Sequence, residues 1–268
     1  MKYWGEIVLH IKKQLLNMNE KELFGSETAK GGFRNEDDVI NKFNNWKTDN
    51  IAQEWLETMG YALKEIEYVK AVKIARNYKT DIQVQVTIKL KEAIDCENLS
   101  VKLVSNSHGF NQVDKREIDK YVQLWKIPKD IEELLKLFTG KIKPENVSKL
   151  KDSRRMFLNE IPIKEQNKIL SFFNKNKILI ISDILKGRDK FAADWMLVIL
   201  KKSEENYEWA LKDINTVMNI FGQGEVRITD EGSLKIGQIG MQRKGGDGGR
   251  ESAKMLQFKI NPCLLFDD

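Results

Sequence analysis

Between Tyr78 and Asn106 the chain reads YKTDIQVQVTIKLKEAIDCENLSVKLVSN. Apolar side chains alternate with polar ones at Ile82, Val84, Val86 and Ile88, and again at Leu99, Val101 and Leu103. That is the period of two belonging to strands with one buried face. The spacing predicts two adjacent strands forming a hairpin. Successive strand side chains point to opposite faces, so Asp81 shares a face with Gln83 and Gln85, and Ser100 shares one with Lys102. The polar face gathers a carboxylate, a hydroxyl and an ammonium away from the core.

A carboxylate at the start of a hairpin and a lysine on its return strand can hold a divalent cation and an attacking water beside a phosphodiester. Oxygen ligands suit Mg²⁺, which keeps several waters and borrows substrate phosphate oxygens to complete its octahedron. The bound metal would lower the pKa of a water and offset charge on the phosphorane, while Lys102 positions the water and stabilises the developing anion. A plainer reading fits the same spacing in a chain with 45 lysines and arginines. Asp81 is then a turn residue and Lys102 a solvated strand lysine.

The 268 residues allow one sizeable α/β domain, or one with an appendage. An apolar content of 41% and a charged content of 32% place it among ordinary globular chains. A net charge of +5 permits a nucleic-acid partner without requiring one. There is no apolar run long enough for a membrane span, and MKYWGEIVLHIKKQLL is amphipathic rather than a signal-peptide core. A cytoplasmic location is expected, with no membrane partner. Two cysteines, Cys96 and Cys263, and two histidines, His10 and His108, are too few for a Cys-rich zinc site.

In chain order, residues 1–24 read as a helical extension for packing or dimerisation, with Ile7, Ile11, Leu15 and Leu16 on one face. The loop Thr28 to Gly32 brings Lys30 and backbone amides towards phosphates, or is simply a turn. Val39, Ile40, Phe43 and Trp46 mark a first helix, and Ala52 to Val69 a second, broken at Gly60. Ser105 to Lys115 reads as a polar loop, with Gln112 either meeting substrate or capping the following helix, Lys115 to Lys126. Gly140 to Arg155 is a lysine-rich connection that tracks a phosphate backbone or faces solvent. Ile178 to Ile184 reads as a buried strand and Trp195 to Leu200 as another, with Glu208 to Phe221 a helix and Glu225 to Gln242 a hairpin. Arg243 and Lys244 precede GGDGG, and Arg250 and Glu251 lead into a strand from Met255 to Ile260. Arginine and lysine there can donate to guanine O6 and N7, and Asp247 can accept from cytosine N4. A flexible charged hairpin tip is the competing reading.

Six longer stretches, in order, point to a family. They are GSETAKGGFRNEDDVINKFNNWK, AQEWLETMGYALKEIEYVKAV, YKTDIQVQV, SVKLVSNSHGFNQVDK, ISDILKGRDKFAADWMLV and QRKGGDGGRESAKMLQFKINPCLLFD. Together they resemble the HinP-type restriction endonucleases, GCGC-cutting enzymes of the PD-(D/E)xK superfamily to which MspI is more distantly similar. The resemblance implies an α/β (α+β) nuclease core, a mixed central sheet flanked by helices, in one domain over residues 25–268 after the 1–24 extension. It implies Asp81 as the metal-bridging carboxylate, Lys102 as the catalytic lysine, and a metal site built from Asp81, Ser100 and the backbone of Val101. Ser100 departs from the family, where glutamine, asparagine or an acid stands; its shorter, uncharged side chain bears on metal affinity. Glu36, on an N-terminal helix, is a candidate second carboxylate. Gln112 would push into the base stack, with Lys30, Lys115, Arg243, Lys244, Asp247 and Arg250 as further DNA contacts.

The implied function is Mg²⁺-dependent hydrolysis of double-stranded DNA, cutting after the first G of GCGC to leave 5′-phosphates, with one or two metals per active site. A cognate methyltransferase would be its genetic partner, and the enzyme a monomer or loose homodimer. Two other readings stay open: a nuclease of another short site or of repair, since loops rather than fold set specificity, and a DNA binder in which Ser100 has ended cleavage.

Overall fold

A computed structural model describes residues 36–74, 78–88, 94–145, 150–202, 206–246 and 250–267. The 1–24 extension, Lys30 with its glycine loop, and Asp247 lie outside the described residues. The chain divides into two compact units. The smaller takes in the described parts of Met1–Lys73 and Val84–Asp95; the larger comprises Ile74–Gln83 and Cys96–Asp268.

In the smaller unit, helix α1 (36–44) precedes α2 (Asn50–Thr58), then strand β1 (Ile66–Lys73) and the outer part of β2 (Ile82–Ile88). Asp49 starts α2 by accepting a hydrogen bond from Ala52 N at 3.0 Å, which satisfies one of the amides left without a partner in a first turn. Val39, Phe43, Trp46, Ala52, Trp55 and Leu56 are buried, and the Phe43 and Trp55 rings lie 5.2 Å apart. The Asn44 side chain accepts from Ala71 N at 2.8 Å, which fixes α1 to β1. The helix expected to run to Val69 stops at Thr58, because Gly60 takes φ +90 and Ile66 onward turns to strand.

In the larger unit the part of β3 (Ile94–Val104) from Cys96 onward, β5 (Trp195–Lys201) and β6 (Tyr207–Asp213) are neighbours in that order, while β4 (Asn111–Arg116) joins a second sheet. β3 pairs with β5 in parallel, Leu99 opposite Trp195, and β5 pairs with β6 antiparallel. A parallel pair needs a long crossover. Here it contains β4 and helices α3 (Ile118–Trp125), α4 (Lys129–Thr139), α5 (Ile163–Lys175) and α6 (Lys177–Leu185). After α7 (Ile214–Gly222) come β7 (Val226–Ile228), β8 (Leu234–Ile236), β9 (Ile239–Arg243) and β10 (Leu256–Ile260). The second sheet has the order β4-β10-β9-β8-β7 and is antiparallel throughout. One core joins these layers, with Met196 and Val198 from the first sheet, Leu234, Ile236, Met241 and Phe258 from the second, and Tyr121, Trp125 and Phe173 from the helices. The architecture is the mixed α+β one expected from the sequence.

Three expectations are corrected. Residues 178–184 lie in a helix: Ile180, Ile181, Ile184 and Leu185 are buried at helical spacing while Ile178 and Leu179 are exposed, and a continuous apolar run does not distinguish helix from strand. The stretch from Glu208 splits into β6 and α7, because the Asp213 carboxylate caps Asn215 N and Thr216 N. Only the first part of Ser105 to Lys115 is loop; from Asn111 to Arg116 the chain forms the edge strand β4. The expected turn at Asp230 to Gly232 links β7 to β8, and β8 turns again into β9. No helix among the described residues is long and apolar enough to cross a membrane.

Phe258 has no exposed surface and its ring lies 5.3 Å from Tyr121 and 5.7 Å from Trp125. Phe258→Ala is expected to destabilise the protein by about 3–5 kcal/mol. Urea unfolding followed by tryptophan fluorescence measures it.

Candidate active site

The pairing of β2 with β3 begins one residue before β2, where Asp81 N donates to Leu99 O at 2.8 Å. That register places the Asp81 carboxylate over Ser100 and Val101. Val101 N donates to Asp81 Oδ2 at 2.6 Å, and Ser100 Oγ lies 3.4 Å from the same oxygen. The Lys102 side chain folds back along its strand, so that Nζ donates to Ser100 Oγ at 2.8 Å and to Val101 O at 3.0 Å, 3.5 Å from Asp81 Oδ2. Three oxygens thus surround one cationic nitrogen. Ser100 is buried, Lys102 is 15% exposed and Asp81 27%, so the group is shielded yet reachable.

The backbone behind it is held by polar contacts. Thr80, buried, donates to Phe191 O at 2.8 Å. Asn98 accepts from Gln83 Nε2 at 3.1 Å and donates to Ala192 O at 3.1 Å, and its backbone N–H donates to Asp194 Oδ2 at 3.0 Å. These bonds fix the start of β3 against the segment that leads into β5.

Asp81, Ser100 and Lys102 open onto a cavity of about 740 Å³ whose walls include Gln112, Asp114, Lys115 and Arg116 of β4. A bulge in β4 opposite Phe258 and Lys259 interrupts the alternation, so that Gln112 and Lys115 are both exposed while Asp114 between them is buried. Asp114 is paired with Lys79, whose Nζ also donates to Val113 O at 2.7 Å. Asp114 further accepts from Arg116 Nε at 3.0 Å and Nη2 at 3.1 Å, and from Tyr121 Oη at 2.6 Å. Burial alone would raise the Asp114 carboxyl, but Lys79, Arg116 and Tyr121 hold it below the usual carboxylate range. Burial, with the Asp114 charge beside it, pushes the Tyr121 phenol up, so Tyr121 remains a donor. Gly187, just past α6 at φ +81, leaves room for the Lys79 methylenes, which an added Cβ would strike.

The structure brings Asp81, Ser100, Val101, Lys102, Gln112 and Lys115 to one region of the larger unit. Arg243 ends β9 opposite Leu256, Lys244 follows it with its N–H donating to Met255 O at 2.8 Å, and Arg250 is exposed ahead of β10. Glu36 belongs to the smaller unit, where it opens α1 and pairs with Lys73 at 2.8 Å. The sequence reading did not pick out Lys79, Asp114, Arg116, Asp183 or Arg188 on the cavity wall.

Among the described residues no three histidine, cysteine or acidic side chains gather into a metal cage. A carboxylate, a hydroxyl and a backbone carbonyl already converge on a cation, and hard oxygen donors of that kind fit a divalent ion that keeps much of its own water.

Because the folded protein lowers the Asp114 carboxyl, the stabilisation it confers is present above the unfolded value, about pH 3.9, and is lost as pH falls through the folded value. The stability difference between wild type and Asp114→Asn is expected to narrow as pH drops from about 6 to about 3. Urea midpoints at each pH check it, and a constant gap would remove the carboxylate's charge from the account.

The sequence model of R.HinP1I restriction endonuclease matches residues 59–266. No curated protein sequence matches the chain. Among solved structures, the restriction endonuclease MspI in complex with its cognate DNA superposes with a TM-score of 0.56 at 12% identity, over 81% of this chain and 80% of that one. At that identity the likeness is one of fold. The family match spans both sheets of the larger unit and every residue of the Asp81, Ser100 and Lys102 group, and the chain belongs to the R.HinP1I restriction endonuclease family as a type II restriction endonuclease.

Proposed function

We propose that this chain is a Mg²⁺-dependent endonuclease that hydrolyses both strands of duplex DNA at GCGC, cutting after the first G and leaving 5′-phosphates. On this reading it works in the cytoplasm as a monomer or loose homodimer, beside a methyltransferase of the same specificity. The observation that carries the reading is the convergence of Asp81 Oδ2, Ser100 Oγ and Val101 O on the Lys102 ammonium, at 3.5, 2.8 and 3.0 Å. Duplex DNA as substrate is supported by the fold shared with MspI, which is held with its cognate DNA.

A divalent cation held by Asp81, Ser100 and the Val101 carbonyl supplies Lewis-acid stabilisation of the phosphate and an acidified water. The chain does the rest. Asp81 has its Oδ2 fixed by Val101 N, which leaves Oδ1 without a hydrogen-bond partner among the described residues. Lys102 donates hydrogen bonds to charge developing on phosphate oxygens, an interaction strongest in a shielded site. Ser100 positions Lys102 and adds a neutral oxygen where the family has a longer side chain. Gln112 and Lys115 project from β4 towards the DNA, Gln112 entering the base stack. Arg243, Lys244 and Arg250 donate to guanine edges while Asp247 accepts from cytosine N4, and Lys30 approaches a phosphate.

An unmethylated plasmid of known sequence, digested in Mg²⁺ buffer, is expected to be cut only at GCGC when the fragment ends are sequenced. Cuts at another short site would move specificity to the loops, and no cleavage in Mg²⁺ or Mn²⁺ by DNA-bound protein would sink the nuclease reading. Lys102→Ala is expected to lose about 100-fold or more in cleavage rate while still binding the duplex. Ser100→Ala is expected to need more Mg²⁺ for half-maximal cleavage; an unchanged Mg²⁺ dependence would take the hydroxyl out of the site.

A further inference from the structure

Two arginines on the cavity wall are held by matching devices. Tyr121 and Trp125 stand one turn apart on α3, their rings stacked at 4.7 Å, and each ends in a donor aimed at a buried aspartate. Tyr121 Oη donates to Asp114 Oδ1 at 2.6 Å and Trp125 Nε1 to Asp183 Oδ2 at 2.8 Å. Each aspartate then grips one arginine through two parallel hydrogen bonds. Arg116 Nε and Nη2 reach Asp114 at 3.0 and 3.1 Å; Arg188 Nε and Nη2 reach Asp183 at 2.7 and 2.5 Å. The aspartates are 4% and 10% exposed, the arginines 41% and 45%. Neither arginine's Nη1 has a hydrogen-bond partner among the described residues.

The half-exposed arginines themselves add little to stability. A half-exposed ion pair contributes little, and sinking two carboxylates among aromatic rings is unfavourable unless they are fully partnered. What the arrangement does supply is direction. A guanidinium locked along one edge keeps its other edge at a fixed angle, and that edge matches the geometry of a phosphate. Arg188 Nη2 also donates to Leu124 O at 3.4 Å, and both arginines, each with its Nη1 unengaged among the described residues, belong to the wall of the cavity onto which Asp81, Ser100 and Lys102 open.

We propose that Arg116 and Arg188 form a two-armed clamp for backbone phosphates of the bound duplex beside the cut site, oriented through Asp114 and Asp183 by the Tyr121 and Trp125 pair. The clamp rests on the reading of this cavity as the DNA-cleaving site and adds to it the residues that hold the strand. It reads no bases, so it acts alike on every sequence.

The test is salt-dependent binding of two fluorescent duplexes, one with GCGC and one without, in metal-free buffer by anisotropy. Each phosphate contact adds roughly 0.9 to the slope of log affinity against log salt. Arg116→Gln and Arg188→Gln are each expected to flatten the slope by about 1 and the double variant by about 2, equally on both duplexes. Arg116→Lys and Arg188→Lys keep the charge and are expected to keep the wild-type slope with weaker binding. Slopes unchanged in glutamine variants that melt cooperatively would overturn the clamp, and so would a loss confined to the GCGC duplex. If a glutamine variant does not fold, a lysine variant that binds as tightly as wild type overturns it as well. Inorganic phosphate competing with neither duplex at matched ionic strength is expected, since the site takes phosphates presented along a strand; competition at low millimolar concentration would assign it to free phosphate. Flattened slopes in a wild-type background that cuts elsewhere than GCGC would leave the clamp standing and remove only the GCGC assignment.

Discussion

The Asp114 carboxylate has almost no contact with water, and the layout of the cavity follows from how its charge is met. An unpartnered carboxylate in such a place is strongly unfavourable. Its partners come from three separate parts of the chain: Lys79 ahead of Asp81, Arg116 at the end of β4, and Tyr121 on α3. Satisfying one charge therefore sets the position of the segment that carries Asp81 and the direction of Arg116. The stacking of Tyr121 on Trp125 passes the constraint on to Asp183 and Arg188.

The first strands were legible because their signal is local. Alternation from Ile82 to Ile88 and from Leu99 to Leu103 allowed one pairing of faces, and in the structure Asp81, Ser100 and Lys102 lie 2.8 to 3.5 Å from one another. The α6 stretch was misread because four isoleucines and leucines in a row satisfy a buried strand and a buried helix alike. β4 was misread for the opposite reason: an edge strand has one neighbour, and NQVDKR carries a single apolar residue, so its composition is that of a loop. Asp213, a capping residue, did mark the change from β6 to α7 and was readable in principle. Nothing local marks Asp114 or Asp183. Their partners stand at 79, 116, 121, 125 and 188 and meet only once both sheets and α3 are in place.

Ser100 stands at the centre of the Asp81 and Lys102 group. Its hydroxyl accepts from Lys102 Nζ at 2.8 Å and lies 3.4 Å from Asp81 Oδ2. Asp81 and Lys102 then balance one another, one charge of each sign within 3.5 Å. On the proposed reading Asp81, Ser100 and the Val101 carbonyl, the oxygens that now face the ammonium, are also the ones that would hold the divalent cation.

Gly187 lies at φ +81 with the methylenes of Lys79 where its side chain would be. Two unrelated barriers thus close the position, one of backbone conformation and one of space. Any larger residue would press on the lysine that neutralises Asp114 and lies two residues before Asp81. A survey of tolerated substitutions would accordingly flag position 187 as though it took part in the chemistry, although its only contribution is an absence of atoms.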